Sequence, residues 1–268
     1  MAGTVPDAPT RSVTSRVVAI LRAFGPSATE MSLTELARRS VLPVSTTYRL
    51  AGELVDLGVL EPGSHGGYRI GLRLWETGSL AVRGLTLRDV AVPFMQDLYE
   101  ATHENVHLAV LDGEEVLYVE KITGRRSVPI KSQEARRLPL HATGVGKVLL
   151  AHASDQLLQK LVDRGLPRFT PHTIVMPGHL GRALAEIRRT GISYSHQELT
   201  LGAVSVASPV RDADDTVVAA LSIVGRSTRT DLNRLGPAVL TAALGISREN
   251  RERIFRLSND GPGDRPSP

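Results

Sequence analysis

The sequence predicts an α+β chain of two domains, a small helical one closed by a hairpin and a larger α/β one built on a mainly antiparallel sheet. Three observations carry this prediction. Over residues 32–71, two short helical patterns flank a proline-containing turn and are followed by a glycine-rich loop between two short runs of strand-forming residues. Beyond residue 85, short alternating runs joined by turn residues are interspersed with helical stripes, the pattern of antiparallel strands covered by helices. Between the two lies a helix-like stretch, 72–84, carrying the only tryptophan, Trp75.

The elements follow in order. Residues 1–11 are expected to be a disordered tail. From Ser12, a capping residue, Val13, Val17, Ile20, Leu21 and Phe24 form one helical stripe, which Gly25-Pro26 ends. Ser32-Leu-Thr-Glu35 has the spacing of a capping box and opens a helix with Leu33, Leu36 and Ala37 on one face. Ser40 to Pro43 breaks it, because the residue before a proline is steered away from helical geometry. Leu50, Ala51, Leu54 and Leu57 then recur at the spacing of a buried stripe, and Gly58 stands where a helix stops in a left-handed conformation. Two short helices about such a turn make a helix-turn-helix. Val59 to Pro62 and Tyr68 to Ile70 read as strands around Gly63–Gly67, and a hairpin in this position is a wing. Alone it is only marginally stable, so it must pack on the helices.

The outward face of the second helix points to a function. Ser45, Thr46, Thr47, Tyr48 and Arg49 crowd its first turn and a half. Short hydroxyls, an aromatic and a guanidinium suit phosphate oxygens and base edges in a major groove, and a recognition helix presents its N-terminal residues to the bases. His65 and Arg69 of the wing are placed to reach the DNA backbone or a minor groove. The plain alternative is a solvated helix start, where Ser and Thr are common.

Composition bounds the rest. The 268 residues suffice for two cores. There is no long apolar run, and the first 20 residues lack a signal-peptide core. The absence of cysteine removes disulfides, thiolate zinc sites and cysteine nucleophiles. A cytoplasmic protein without a membrane partner is expected. The net charge of +4 and sequence pI of about 9.7 suit a polyanion. Yet residues 1–80 hold eight Lys/Arg against seven Asp/Glu, so any basic face must come from placement.

In the larger domain, Leu87 to Thr102 is an amphipathic helix. Val106–Leu111 and Val116–Ile122 are strands about an Asp112-Gly113 turn, and Val128-Pro-Ile130 is a third strand. Thr143–Ala153 and Asp155–Gly165 look helical, as does a stretch marked by Leu180, Ala183, Leu184 and Ile187 and stopped by Gly191. Ile192–Ser195, Val204–Val210 and Val217–Val224 are further strands, and Arg229 to Arg256 is mostly helical. The boundaries are therefore 12–71 for the helix-turn-helix domain, 72–84 for the linker helix and 85–257 for the larger domain, with 258–268 a solvated tail.

Leu42-Pro-Val-Ser-Thr-Thr-Tyr-Arg-Leu50, the wing, Leu138-Pro-Leu-His-Ala-Thr-Gly-Val-Gly-Lys147 and Glu198-Leu-Thr-Leu-Gly202 with Ala207-Ser-Pro-Val210 occur in one chain and in order. Together they resemble the IclR family of bacterial transcription regulators, from about Val13 to Ile254. The resemblance implies a winged helix-turn-helix joined to a GAF-like effector domain, a homodimer or dimer of dimers on palindromic double-stranded operator DNA, and a small-molecule effector. It also implies an effector pocket at Gly144 and Val145, Ser195 and Ser205, and Ser222 and Val224, with Val128 and Ile130 as an apolar wall. Two glycines around Val145 at a helix start would offer backbone N–H groups to an anion. The family's better-studied acid sensors carry more polar groups at the positions of Ser195 and Val224, which points here to a less polar ligand. Alternatively Ser205, Ser222 and Val224 are ordinary inward strand positions.

Three enzymatic patterns are weaker. His103-Glu-Asn-Val-His107 matches the zinc-protease spacing, but that motif needs both imidazoles on one helical turn, and Val106–Leu111 alternates like a strand. Gly144-Val-Gly-Lys147 fails as a phosphate loop at His141 and at Val148. Asp155, His141 and the serines lack a nucleophile elbow. The expectation is a ligand-responsive regulator with no catalytic residues, metal or cofactor. It would be a repressor of a metabolic operon, released by a small organic acid or aromatic effector that shifts the linker around Trp75. The alternatives are an activator of the same type, or a zinc enzyme using His103, Glu104 and His107.

Overall fold

The computed structural model of the chain describes residues 12–25, 28–64, 66–79, 82–124 and 137–259. The proposed strand at Val128–Ile130 and both terminal tails, save Ser258 and Asn259, lie outside them. The chain divides into two compact units, Met1–Val82 and Arg83–Pro268. No described helix is long and apolar enough to cross a membrane.

Among the described residues, the first unit holds four helices and a three-stranded sheet. Helix α1 (Val13–Ala23) starts at Ser12, whose side chain accepts from the Ser15 amide. The two-residue strand β1 (Glu30–Met31) precedes α2 (Leu33–Ser40). Ser32 caps α2 through the Glu35 amide, but the box is half made: the Glu35 carboxylate turns to Arg38 and Arg39. Helix α2 ends on Val41, held left-handed at φ 55°, and α3 (Val44–Asp56) starts from Pro43. Gly58 takes the left-handed φ of 71° that ends α3, where the Val59 amide returns 2.8 Å to the Leu54 carbonyl. Strands β2 (Leu60–Pro62) and β3 (Tyr68–Ile70) pair antiparallel, and β1 adds to the other edge of β3. This third strand secures the wing to the helices. Ile20, Leu36, Leu50, Ala51, Leu54 and Leu60 make the core. Leu57, expected on that stripe, is instead 62% exposed.

Helix α4 (Leu72–Ser79) carries Trp75, 67% exposed. The expected single linker helix closed by Gly84 is not what forms, since Gly84 lies inside the next helix, α5 (Val82–Thr102).

Among the described residues, the second unit is a six-stranded sheet with helices on both faces. Its strands are β4 (Asn105–Asp112), β5 (Glu115–Ile122), β6 (Arg137–Pro139), β7 (Ser193–His196), β8 (Ala203–Arg211) and β9 (Val217–Arg226). They run in the order β6-β5-β4-β9-β8-β7, with every ladder antiparallel. Alternation along each strand sends neighbouring residues to opposite faces, so two cores form. Val106, Leu108, Val206, Leu221 and Ile223 pack beneath α5 and α9 (Leu232–Asn259). Ala109, Tyr118, Ala207 and Ala220 pack beneath α6 (Gly144–Ala151), α7 (Asp155–Arg164) and α8 (Pro177–Thr190). Helix α9 runs to Asn259, two residues into the stretch expected as tail.

Candidate DNA interface and effector site

On α3, Ser45, Tyr48 and Arg49 are exposed and Thr46 is half-buried. Tyr48 is 65% exposed. Thr47 is a correction. It is fully buried, and its hydroxyl donates 3.0 Å to the Pro43 carbonyl, so it secures the helix start and presents nothing outward. The period that buries Leu50, Ala51 and Leu54 places position 47 on the same stripe, a signal in the sequence that residue type obscured.

Arg49 pairs with Glu53 at 2.6 Å on the same exposed face. Such an i,i+4 pair in solvent contributes only about 0.3–0.5 kcal/mol, so a phosphate can displace it readily. Arg69 on β3 pairs with Glu61 at 3.1 Å. The Leu72 amide, donating to Glu61, holds that carboxyl below its usual range, with Arg69 acting in the same direction. His65 lies outside the described residues.

The second site is a small cavity of about 50 Å³ on the α6 side of the sheet in the larger unit. Ser195 on β7, Ser205 on β8 and Val224 on β9 sit side by side in register and line it, and Ser222 lines it two residues earlier on β9. Gly144 and Val145 line it from the start of α6. Thr143 caps that helix by accepting from the Gly146 amide at 3.0 Å. The amides of Gly144 and Val145 belong to the first turn, whose N–H groups have no partner inside the helix. A Cβ on Gly144 would lie 2.7 Å from Ser205 Oγ, so glycine there lets helix and strand approach. Six of the eight expected pocket residues thus meet at one cavity. Val128 and Ile130 lie outside the described residues.

Sequence reasoning missed Tyr118, Thr143, Glu198 and Thr200, which also line the cavity. Glu198 forms a buried ion pair with Lys147, whose ammonium also donates 2.9 Å to the Tyr194 carbonyl. Burial pulls the Lys147 pKa down, and Glu198 opposes that. Thr170 and Thr173 donate to the Glu198 carbonyl and fix the loop. Glu198 stood inside a quoted family motif, but no spacing told that it would face a cavity.

The zinc pattern does not assemble. His103 follows the end of α5 at φ 53°, whereas His107 lies in β4. Among the described residues no group of three or more candidate ligands could hold a metal. His107 is buried edge-on against Tyr118, ring centroids 5.0 Å apart. Burial pushes its pKa down to about 3, with Lys121 acting in the same direction. The unfolded ring takes a proton near 6.5, so between those values the unfolded state binds more protons. The stability contributed by neutral His107 is therefore complete above pH 6.5 and is lost as pH falls toward 3. By pH 5 the loss is about 2 kcal/mol. In urea melts, His107→Phe should flatten the stability profile between pH 7 and 5; an unchanged slope would assign the acid sensitivity elsewhere.

A winged helix-turn-helix and a sheet domain with a cavity, in one chain, define a DNA-binding regulator with a sensor domain. Two family models match: the IclR helix-turn-helix domain over residues 13–63 and the bacterial transcriptional regulator IclR C-terminal domain over residues 79–248. The chain is 34% identical over 238 residues to the HTH-type transcriptional regulator XynR of Escherichia coli (strain K12), covering 87% of this chain and 94% of the relative. It is 33% identical over 258 residues to the acetate operon repressor of Salmonella typhimurium, covering 91% and 94%. Among solved structures, an IclR homolog complexed with 4-hydroxybenzoate from Microbacterium hydrocarbonoxydans superposes with a TM-score of 0.83 at 35% identity, covering 90% of this chain and 100% of that one. The chain belongs to the IclR family. It is a ligand-responsive transcriptional regulator, not an enzyme.

Proposed function

We propose that this regulator is a cytoplasmic repressor of a metabolic operon and that a small organic acid, aliphatic or aromatic, releases it from its operator. The observation that carries this reading is the cavity, where serine hydroxyls and the first amides of α6 converge in the larger unit of a chain whose α3 exposes Tyr48 and Arg49. Ser45, Thr46, Tyr48 and Arg49 contact bases and phosphates, and Arg69 and His65 add backbone contacts. Thr47 positions the helix. Gly144, Val145, Ser195, Ser205, Ser222 and Val224 hold the effector, with Val128 and Ile130 as its apolar wall. A dimer presents two recognition helices about one helical turn apart on a palindrome, so a small change in their spacing weakens binding. The repressor sign is supported by the acetate operon repressor among the relatives, and the acid class by the 4-hydroxybenzoate complex.

The test is a gel shift with the purified chain and the DNA upstream of its own gene and its neighbours, with and without added acids. A specific shift relieved by one acid supports a released repressor. A shift strengthened by the acid would replace it with a co-repressed regulator or an activator.

A further inference from the structure

We propose that the cavity takes a monocarboxylate that also carries a hydroxyl or amino group, and that Glu198 is the residue that reads this second group. The inference rests on the effector-site reading above and narrows its ligand class.

The observation is a cluster of orphaned polar atoms. Among the described residues, Glu198 Oε2, Thr200 Oγ1 and Ser222 Oγ are buried side-chain atoms without a hydrogen-bond partner, and all three residues line the same cavity. The Glu198 side chain is 7% exposed, and its other oxygen is held by Lys147. Ser222 is 1% exposed. Buried polar atoms are normally paired, so each orphan calls for a partner. The chemistry of that partner follows from the donor and acceptor inventory. A carboxylate oxygen only accepts, so whatever sits against Glu198 Oε2 must donate an O–H or N–H. Hydroxyls of Ser222 and Thr200 both donate and accept, and so tolerate either. The acid end of the ligand has its own place at the Gly144 and Val145 amides, where a helix start favours negative charge.

Glu198 also rejects. Its charge is already compensated by Lys147, so a second carboxylate on the ligand would meet repulsion and an acceptor facing an acceptor. A simple acid fills the anion end and leaves Glu198 Oε2 unpaired. A methyl ether fills the space without a proton to give. A hydroxy or amino acid satisfies both ends. Sites that hydrogen-bond a substrate hydroxyl discriminate steeply against analogues lacking it.

The experiment is isothermal titration of the full chain with matched probes in two series. One is benzoate, 3- and 4-hydroxybenzoate, their methoxy analogues and terephthalate; the other is propionate, lactate, 3-hydroxypropionate and malonate. In at least one series a hydroxy acid should bind about 10-fold or more tighter than its parent acid, the dicarboxylate and any methyl ether. That advantage should vanish in Lys147→Met/Glu198→Met, which removes the acceptor without stranding a buried charge. Parent acids binding as tightly as hydroxy acids in both series would overturn the inference and leave the effector site standing, with the orphans served by water. An advantage that persists in the double variant would remove Glu198 from the role. Failure of every acid to bind would overturn both the inference and the effector-site reading.

Discussion

Lys147→Met is expected to destabilise the larger unit by about 3–5 kcal/mol, because removing one partner of a buried ion pair leaves the other charge uncompensated. The Lys147 and Glu198 side chains are 2% and 7% exposed, so water cannot take over the lost role. The same substitution removes the donor that reaches the Tyr194 carbonyl at 2.9 Å, freeing β7 from α6. Lys147→Met/Glu198→Met should recover most of the loss, since replacing a buried pair by apolar side chains of similar volume is often neutral or stabilising. Urea unfolding of the full chain followed by circular dichroism reads both variants. If the single and double variants unfold at the same denaturant concentration, the pair does not hold α6 against the Glu198 loop.

Arg49→Ala should weaken operator binding by ~1–3 kcal/mol, roughly 5- to 150-fold in Kd. Two effects add. A guanidinium is withdrawn from the phosphates or bases, and Glu53, which it neutralised at 2.6 Å, is left facing the polyanion. Arg189→Ala is the control, because Arg189 is also an exposed arginine paired on its own helix, with Glu186 at 2.6 Å, but lies on α8 of the other unit. It removes the same net charge and should leave operator affinity within about twofold by the weakness of exposed pairs. Fluorescence anisotropy at fixed salt measures both. Equal losses would mean that overall charge, and not the exposed face of α3, sets the affinity.

Much of the fold was legible because local rules agreed with tertiary structure. Ser12 and Ser32 cap where capping chemistry put them, Gly58 takes the left-handed turn, and Gly113 closes the β4–β5 hairpin at φ 62°. Failures came where tertiary pairing outweighed local pattern. Strand β1 has two residues, too few for any alternation to show, and exists because β3 offers it an edge. Strand β6 is three residues, the last of them Pro139, and is defined by its register with Glu115–Leu117. Gly84 looked like a helix stop yet lies within α5; a glycine costs a helix only about 1 kcal/mol, which the surrounding turns can offset. Thr47 was misread from residue type against its own periodicity.

The sites divide the same way. The exposed start of α3 follows from a helical wheel, so Tyr48 and Arg49 could be placed from sequence. The serines of the cavity came through family resemblance, because their meeting depends on strand order: β7, β8 and β9 bring Ser195, Ser205 and Val224 side by side. Glu198 and Lys147 are 51 residues apart, and no local rule couples them. Buried charge pairs of this kind become visible only when the fold is known.

One ligand should link the cavity to the operator, and reciprocal titration reads that link. Operator affinity is measured with and without a saturating acid that binds the chain, and acid affinity is measured with and without operator. Linkage requires the two ratios to be equal, and allosteric regulators usually show a factor of about 5–150. The acid should weaken operator binding, and the operator should weaken acid binding by that same factor. An acid that binds free and operator-bound protein with equal affinity would contradict that link.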